Sequence, residues 1–170
     1  VLTTPYHYAY LKIADGCSNH CTYCAIPSIR GKYRSEKMQD LLGEAKKLSD
    51  DGVKELILVA QDVTRYGTDF DGKPHLIELL DKLSEFDFEW IRLLYLYPEM
   101  VDDTLIEYVK NNPKIAKYMD IPLQHIDDQV LKRMNRRTDE KSIRELISKL
   151  KNAGIAVRTT FICGFPGETQ

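Results

Sequence analysis

The sequence predicts an α/β fold, a partial (β/α) barrel (an alpha-beta horseshoe) in which outer helices cover a parallel sheet. Strand-like and helix-like segments alternate along the chain, a pattern typical of parallel strands joined by right-handed crossovers. Residues 55–60 consist of Glu55 followed by a continuous apolar run, as expected for a strand covered on both faces. The 170 residues leave room for about five βα units, whereas a closed barrel of eight needs about 250 residues.

Five segments are predicted to be strands. The first is rich in β-forming residues, the second is the apolar run, the third ends before Pro98, the fourth ends before Pro122, and the fifth leads into a Gly-Phe-Pro-Gly turn. Their ranges are 8–14, 55–60, 90–97, 118–121 and 155–163.

Helices are predicted between these strands, where apolar residues recur every three or four positions. Gly52 is expected to end the first helix, and Thr138 or Asp139 is expected to cap the last one. The four apolar sets are Leu41, Leu42, Ala45 and Leu48; Leu76, Leu79, Leu80 and Leu83; Leu105, Ile106 and Val109; and Ile143, Leu146, Ile147 and Leu150.

The composition is that of an ordinary globular domain, with 43% hydrophobic and 29% charged residues. A net charge of -2 gives no overall attraction to nucleic acid or anionic membrane. No apolar run approaches the roughly 20 residues that span a bilayer, and the first five residues lack the features of a signal peptide. We therefore expect a cytoplasmic protein with no membrane contact.

Three of the four cysteines, Cys17, Cys21 and Cys24, lie within eight residues, directly after the first predicted strand. Thiolates on one short loop favour zinc, copper(I) or an iron–sulfur cluster. Three ligands would leave one coordination site of a cubane cluster open to a small molecule. Two alternatives remain at this point: His20 or His7 completes a zinc site, or the cysteines are small buried residues without a metal.

The pattern Cys17-x3-Cys21-x-Tyr23-Cys24 resembles the signature of radical S-adenosylmethionine (SAM) enzymes. The resemblance implies that the three thiolates hold a [4Fe–4S] cluster whose fourth iron chelates the amino and carboxylate groups of SAM. It also implies that an electron from the cluster splits SAM and yields a 5′-deoxyadenosyl radical. The superfamily scaffold is a partial or full barrel, in agreement with the fold predicted above.

Longer stretches of the sequence resemble the methylthiotransferases within this superfamily. They lie in the cysteine loop, after the second and fourth strands, and at the end of the chain. The stretches are 24–32, 59–67, 120–126, 131–137 and 160–169.

Two subfamilies of methylthiotransferases are candidates. One modifies an adenosine in tRNA, and the other, the RimO type, modifies the β-carbon of an aspartate in a small-subunit ribosomal protein. The tRNA type tends to carry Gln-Asn after strand two and Gln-Ser-Gly after strand four, whereas this chain has Gln61-Asp62 and Gln124-His125-Ile126. The resemblance therefore implies a ribosomal protein of the small subunit as partner, with tRNA as the alternative, and an electron donor such as flavodoxin or ferredoxin.

The resemblance also implies a domain organisation. Residues 1–170 correspond to the radical SAM core, a fragment of a partial barrel. The N-terminal domain that holds a second cluster and the small C-terminal β-rich domain are expected to be absent from this sequence. A zinc-stabilised binding module is the alternative from another functional class.

Six residues are predicted to contact SAM, five by the same resemblance and Gly164 because the backbone at a glycine can approach a ligand closely. Four of the six also have a structural interpretation. Tyr23 would lie beside the adenine or pack under the cluster. Gln61 and Asp62 would lie near the methionyl amino group or cap the turn. Gln124 and Arg136 would hold the ribose and carboxylate, since an arginine fork matches a carboxylate. Gly164 would contact SAM through its backbone or serve the turn.

Cys163, the fourth cysteine, is expected to be a buried structural thiol in the fifth strand. No catalytic residue is predicted beyond the cluster ligands, because the cofactor carries the chemistry while the protein positions it and excludes water.

Overall fold

The computed structural model describes residues 4–169, and across them five strands form one parallel sheet. The strands are β1 (Tyr8–Lys12), β4 (Glu55–Val59), β5 (Trp90–Leu93), β6 (Ile115–Asp120) and β7 (Ala156–Arg158). They lie side by side in the order in which the chain forms them. With right-handed crossovers, strands added always on the same side place their helices on one face of the sheet. The predicted α/β fold is confirmed, while residues 1–3 and 170 of the predicted domain lie outside the described residues.

A second, two-stranded sheet brackets the cysteine segment. Its strands β2 (Ala14–Asp15) and β3 (Arg34–Ser35) are antiparallel, with Ala14 opposite Ser35. The chain therefore leaves β2, passes through the cysteines and returns beside its starting point. The helix α1 (Ile26–Arg30), which has a proline in its first turn, lies on this return path.

Four amphipathic helices cover the sheet: α2 (Met38–Asp50), α4 (Leu76–Leu83), α5 (Asp103–Asn111) and α7 (Glu140–Asn152). All four correspond to predicted helices. Gly52 has φ 84° and follows the end of α2, as expected. Asp139 is the N-cap of α7 and accepts a 2.7 Å hydrogen bond from the Ser142 amide. Two short helices, α3 (Thr68–Asp71) and α6 (Asp128–Arg133), were not predicted as elements.

The core lies between the helices and one face of the sheet. In β1, β4 and β5 the side chains on that face are at most 1% exposed. On the opposite face, Tyr10 and Trp90 are about half exposed, at 50% and 52%. The buried side chains on the helix-covered face include Ala9, Leu11, Leu56, Leu58, Ile91 and Leu93. One face of the sheet is therefore free of helices, and the loops that follow the strands meet above it.

Three strands are shorter than predicted. The first ends at Lys12 because Ala14 pairs with Ser35 in the small sheet. The third ends at Leu93, not Tyr97, because Tyr95 has φ 63°, which no strand accommodates. The fifth ends at Arg158, and only Phe161 beyond it makes a further bridge, to Gln124. No helix in residues 4–169 combines the length and hydropathy needed to cross a bilayer.

Candidate metal and cofactor site

The cysteine loop lies at the edge of the sheet where the parallel strands end. Gly16 has φ 75° and opens the loop. The Cys17 amide donates a 3.1 Å hydrogen bond to the Gly31 carbonyl, which fixes the start of the loop to the returning chain. The Cys24 amide donates to the Cys21 carbonyl at 3.0 Å and closes a turn between the second and third cysteines. The loop is thus held by backbone bonds at both ends.

Two of the three cysteines line one cavity of about 350 Å³, and the third lies beside its wall. Cys17 and Cys21 are each 7% exposed, and Cys24 is half-buried. Cys17 and Cys24 line the cavity, and Cys21 Sγ lies 3.2 Å from the hydroxyl of Tyr97, which also lines it. The full lining consists of Cys17, Cys24, Ile26, Ala60, Gln61, Tyr95 and Tyr97.

Burial raises the pKa of the Cys17 thiol, and the charges of Asp62 and the other two thiols raise it further. A hydrogen bond from the Asn19 backbone only partly offsets these effects. A thiol in such surroundings keeps its proton unless a cation or metal neutralises the sulfur. The loop therefore concentrates sulfur where a positively charged group would stabilise it.

The geometry around the cysteines differs from that of a single bound ion. Within residues 4–169, no three Cys, His, Asp or Glu side chains lie close enough together to hold one metal ion. A cubane cluster does not require such convergence, because each thiolate binds a different iron atom.

The two histidines considered as zinc ligands lie elsewhere on the described chain. His7 lies at the far edge of the sheet, where its carbonyl accepts bonds from Lys54 and Glu55. His20 is exposed, and its carbonyl accepts a bond from Asn135.

Gln61 and Asp62 follow β4, and their side chains have different surroundings. Gln61 lines the cavity, and its Oε1 atom is buried without a hydrogen-bond partner in the described part of the chain. Asp62 is fully buried, caps the next helical turn and accepts hydrogen bonds from Thr64. Its Oδ2 atom lies 3.2 Å from Arg65 Nε, an ion pair whose angle does not make a hydrogen bond. Burial raises the pKa of Asp62, and Thr64 and Arg65 counteract part of that effect.

Arg136 is buried beside the cysteine loop, with 7% of its surface exposed. Its guanidinium lies 4.2 Å from the centre of the Tyr97 ring and donates a 3.1 Å hydrogen bond to the Pro122 carbonyl. One terminal nitrogen lies 4.0 Å from Cys21 Sγ. The Nε atom is buried and has no hydrogen-bond partner among the described residues.

The three other predicted SAM residues lie on the same side of the molecule. Tyr23 is 37% exposed and packs edge-on against Phe165, with ring centres 6.4 Å apart. Gln124 has φ 74° and bridges to the loop after β7. The Gly164 amide donates to the Glu168 carboxylate at 2.6 Å, and a side chain at Gly164 would meet nothing within 4 Å. The contact between Gly164 and SAM stays a prediction.

Cys163 is exposed, which contradicts the expected buried thiol. The reason is that β7 ends five residues earlier, at Arg158, so Cys163 lies in the loop and not in a strand.

Two residues of the site carried no functional prediction from the sequence. Tyr97 contacts both Cys21 and Arg136. Asn19 is 6% exposed, and its side-chain nitrogen has no hydrogen-bond partner within residues 4–169. A polar residue inside the cysteine loop was the available signal for Asn19. Nothing local distinguishes Tyr97 from the chain's nine other tyrosines.

Larger clefts, of about 590 and 410 Å³, lie on the outer helices. None of the predicted site residues lines either cleft. The smaller cavity carries the chemistry because thiols and unpartnered polar atoms converge there.

The residues around the cavity fit an iron–sulfur cluster together with a zwitterionic ligand. Three thiols supply the soft donors that iron clusters require. Buried polar atoms without partners are costly and rare in folded proteins, so their presence marks a place where a ligand completes the bonding. Gln61 supplies an unpaired acceptor for an ammonium group, and Arg136 supplies an unpaired donor for a carboxylate.

Comparison with known proteins agrees with this site. The model of the Radical SAM superfamily matches residues 11–170. The chain is 58% identical over its full length to the ribosomal protein uS12 methylthiotransferase RimO of Thermoanaerobacter sp. (strain X514). It is 55% identical, over 98% of its length, to the RimO protein of Trichlorobacter lovleyi. The chain spans 39% and 38% of the lengths of these two relatives.

Solved structures share the fold at low sequence identity. The radical SAM methyltransferase TsrM from Kitasatospora setae, with cobalamin and a [4Fe–4S] cluster bound, matches 95% of this chain and 32% of its own. The TM-score is 0.75 and the identity 15%. Methylornithine synthase PylB matches 93% of this chain and 45% of its own, with a TM-score of 0.64 and 14% identity.

Proposed function

Because the chain belongs to the Radical SAM superfamily, we propose that it is the part of a methylthiotransferase that holds a [4Fe–4S] cluster and SAM. The observation that carries the proposal is one arrangement of thiols and unpartnered polar atoms. Cys17, Cys24 and Gln61 line one cavity, and Cys21 and Arg136 both contact Tyr97 in its wall. When bound, the cluster supplies the electron that cleaves SAM. The protein is accordingly an enzyme, a transferase of sulfur-containing groups.

The proposed substrate is an aspartate β-carbon in ribosomal protein uS12. Relatives at 51–58% identity are named ribosomal protein uS12 methylthiotransferases, which supports uS12 as the substrate, and the aspartate β-carbon is what the family resemblance implies. The Gln61-Asp62 and Gln124-His125 pairs also favour the ribosomal-protein subfamily over the tRNA subfamily. A ribosomal substrate and a one-electron donor such as flavodoxin or ferredoxin would place the protein in the cytoplasm, without membrane partners.

Each residue around the cavity has a task in this proposal. The three cysteines hold three irons and leave the fourth for SAM. Gln61 Oε1 accepts from the methionyl amino group, and Arg136 Nε donates to the methionyl carboxylate. Tyr23 and Gln124 bound the nucleoside end. Asp62 acts through the backbone, because its cap fixes the turn that follows Gln61.

Other residues that line the cavity keep water from the reacting atoms. Tyr95, Tyr97 and Ile26 line the cavity and present mostly apolar surface. A dry cavity matters here because a carbon radical would otherwise be lost to side reactions. No residue is required to move a proton when hydrogen is taken from an unactivated carbon.

Residues 1–170 would form the radical SAM core of a longer protein. The remaining length of the relatives leaves room for the N-terminal cluster domain and the C-terminal β-rich domain that the family resemblance implies. In this view the core supplies the cluster and SAM, and the other domains supply the second cluster and bind the substrate.

Anaerobic reconstitution with iron and sulfide tests the cluster and SAM sites. We expect a brown protein with four irons per chain that produces 5′-deoxyadenosine and methionine from SAM after chemical reduction. The Cys21→Ala variant is expected to lose most of the iron and all of the cleavage. A colourless protein that holds zinc tightly would favour the binding module and overturn the proposal.

The substrate is tested in a strain that lacks the gene. We expect uS12 to lose the mass of one methylthio group while tRNA keeps its modification. Loss from tRNA alone would support the other subfamily.

A further inference from the structure

Tyr97 contacts both Cys21 and the buried arginine of the site. Its hydroxyl oxygen lies 3.2 Å from Cys21 Sγ, and its ring lies under the Arg136 guanidinium at 4.2 Å. Pro98, which is buried, begins the helical turn at Pro98–Met100 directly after it. The phenol is therefore held against the sulfur by the arginine above it and the turn behind it.

The direction of the hydrogen bond follows from the chemistry of a cluster ligand. A cysteine bound to iron is a thiolate and has no proton to give. A phenol with an ordinary pKa near 10 is protonated at neutral pH. The Tyr97 hydroxyl must then be the donor and the Cys21 sulfur the acceptor.

The three cysteines have unequal electrostatic surroundings. Cys21 faces the Tyr97 hydroxyl, and a terminal nitrogen of Arg136 lies 4.0 Å from its sulfur, the outer limit for a bond to sulfur. The Cys17 sulfur instead receives a hydrogen bond from the Asn19 backbone. Tyr97 therefore places a side-chain hydroxyl beside one ligand, which is the arrangement expected of a residue that adjusts the cluster.

We propose that Tyr97 is a positioning residue that donates a hydrogen bond to the Cys21 thiolate and thereby raises the reduction potential of the cluster. Reduction adds negative charge to the cluster and its sulfurs, and a donor to sulfur stabilises that added charge. The inference rests on the proposed function only in that a cluster binds to the three cysteines.

The test compares the reconstituted wild type with Tyr97→Phe and Tyr95→Phe in the absence of SAM. Tyr95 lines the same cavity but makes no hydrogen bond to a cysteine within the described residues. Redox titration followed by electron paramagnetic resonance gives the reduced and oxidised fractions. We expect Tyr97→Phe to lower the reduced-to-oxidised ratio at a fixed potential about tenfold, or about 59 mV for one electron. Tyr95→Phe is expected to titrate like the wild type.

A second measurement covers the case in which Tyr97→Phe fails to hold iron. Resonance Raman spectra of the wild type in H₂O and D₂O should show a shift of an iron–cysteine stretching band, because the bonded proton exchanges. An iron-loaded Tyr97→Phe variant with an unchanged potential, or a wild type without the isotope shift, contradicts the inference alone. A wild type that binds no iron contradicts the proposed function instead.

Discussion

Among single residues, Gly16 determines whether the cysteine loop can form. Its φ is 75°, a conformation that residues with side chains rarely adopt. A Cβ atom there would lie 2.2 Å from the Lys32 carbonyl oxygen and 2.8 Å from that of Gly31. The Gly31 carbonyl also accepts the bond from the Cys17 amide, so a side chain at Gly16 would push away the strand that holds the first ligand.

Replacing Gly16 with alanine is therefore expected to destabilise the protein by about 2–4 kcal/mol through backbone strain and overpacking. The matched control is Gly43→Ala, because Gly43 lies within α2 and a side chain there would meet nothing within 4 Å. That change is expected to stabilise by about 0.5–1 kcal/mol. Urea unfolding measures both, and iron content should fall only in Gly16→Ala. Equal stability of the two variants would show that the loop does not depend on this close approach.

The sequence predicted the candidate site residues where they form a local motif. It did not predict which role each of these residues has. Cys17, Cys21 and Cys24 stand out by spacing alone. Gln61 and Asp62 were given the same task, yet Gln61 lines the cavity and Asp62 caps a turn. Successive side chains along an extended segment point to opposite sides, so only one of two neighbours faces the cavity. A shift of one residue at the end of β4 would reverse which of the two does so, and the sequence does not show that position.

At the scale of elements, α6 holds the cysteine loop in place from across the sequence. The Thr22 amide donates to the Met134 carbonyl at 3.2 Å, and the Thr22 hydroxyl donates to the Arg133 carbonyl at 3.0 Å. The Asn135 side chain donates to the His20 carbonyl at 2.9 Å. These bonds leave from the C-terminal end of α6 and the residues that follow it. A short helix thus fixes both the middle of the loop and the position of Arg136.

The integrity of α6 should therefore affect the cluster. Asp127 caps α6 by accepting hydrogen bonds from the amides of Gln129 and Val130 at 2.9 and 3.0 Å. Asp127→Ala is expected to cost about 0.5–2 kcal/mol, as is Asp102→Ala, which removes the equivalent cap of α5.

Only Asp127→Ala should release iron faster to a chelator under anaerobic conditions, because only α6 is bonded to the cysteine loop. The two variants are compared by thermal unfolding and by the rate of iron release. Equal release rates at equal stability would mean that the loop is independent of α6.

Long elements were predictable, and short ones were not. The helices α2, α4, α5 and α7 each carry an apolar stripe over at least eight residues, so their periodicity is readable. The helices α1, α3 and α6 have four to six residues, too few for a period to show. The ends of β1 and β5 were misplaced because pairing in the small sheet ends β1 and a positive φ angle follows β5, and composition shows neither.

For the whole molecule, the fold separates the part that provides stability from the part that binds the cofactor. The apolar core lies between the helices and one face of the sheet, and its strand residues are almost fully buried. The cysteine loop lies outside the large sheet and is held by a few hydrogen bonds at the ends of the strands. Alternation and length predicted the first part because it repeats along the chain. The contacts between residues 20–22 and 133–135 could not be predicted, because they join positions more than 110 residues apart.

This separation predicts what removal of the cluster does. Of the described core residues, only Ala60 lines the cavity. Far-UV circular dichroism and amide protection of residues 56–58 and 91–93 are therefore expected to stay unchanged in the iron-free protein. Residues 16–25 and 133–136 depend on one another and on the three ligands, so their amides are expected to exchange at least about tenfold faster, as in local opening. Hydrogen exchange with mass spectrometry on loaded and iron-free samples measures both regions. Faster exchange throughout the sheet would instead mean that the cluster is part of the folding core, as in zinc fingers that unfold without metal.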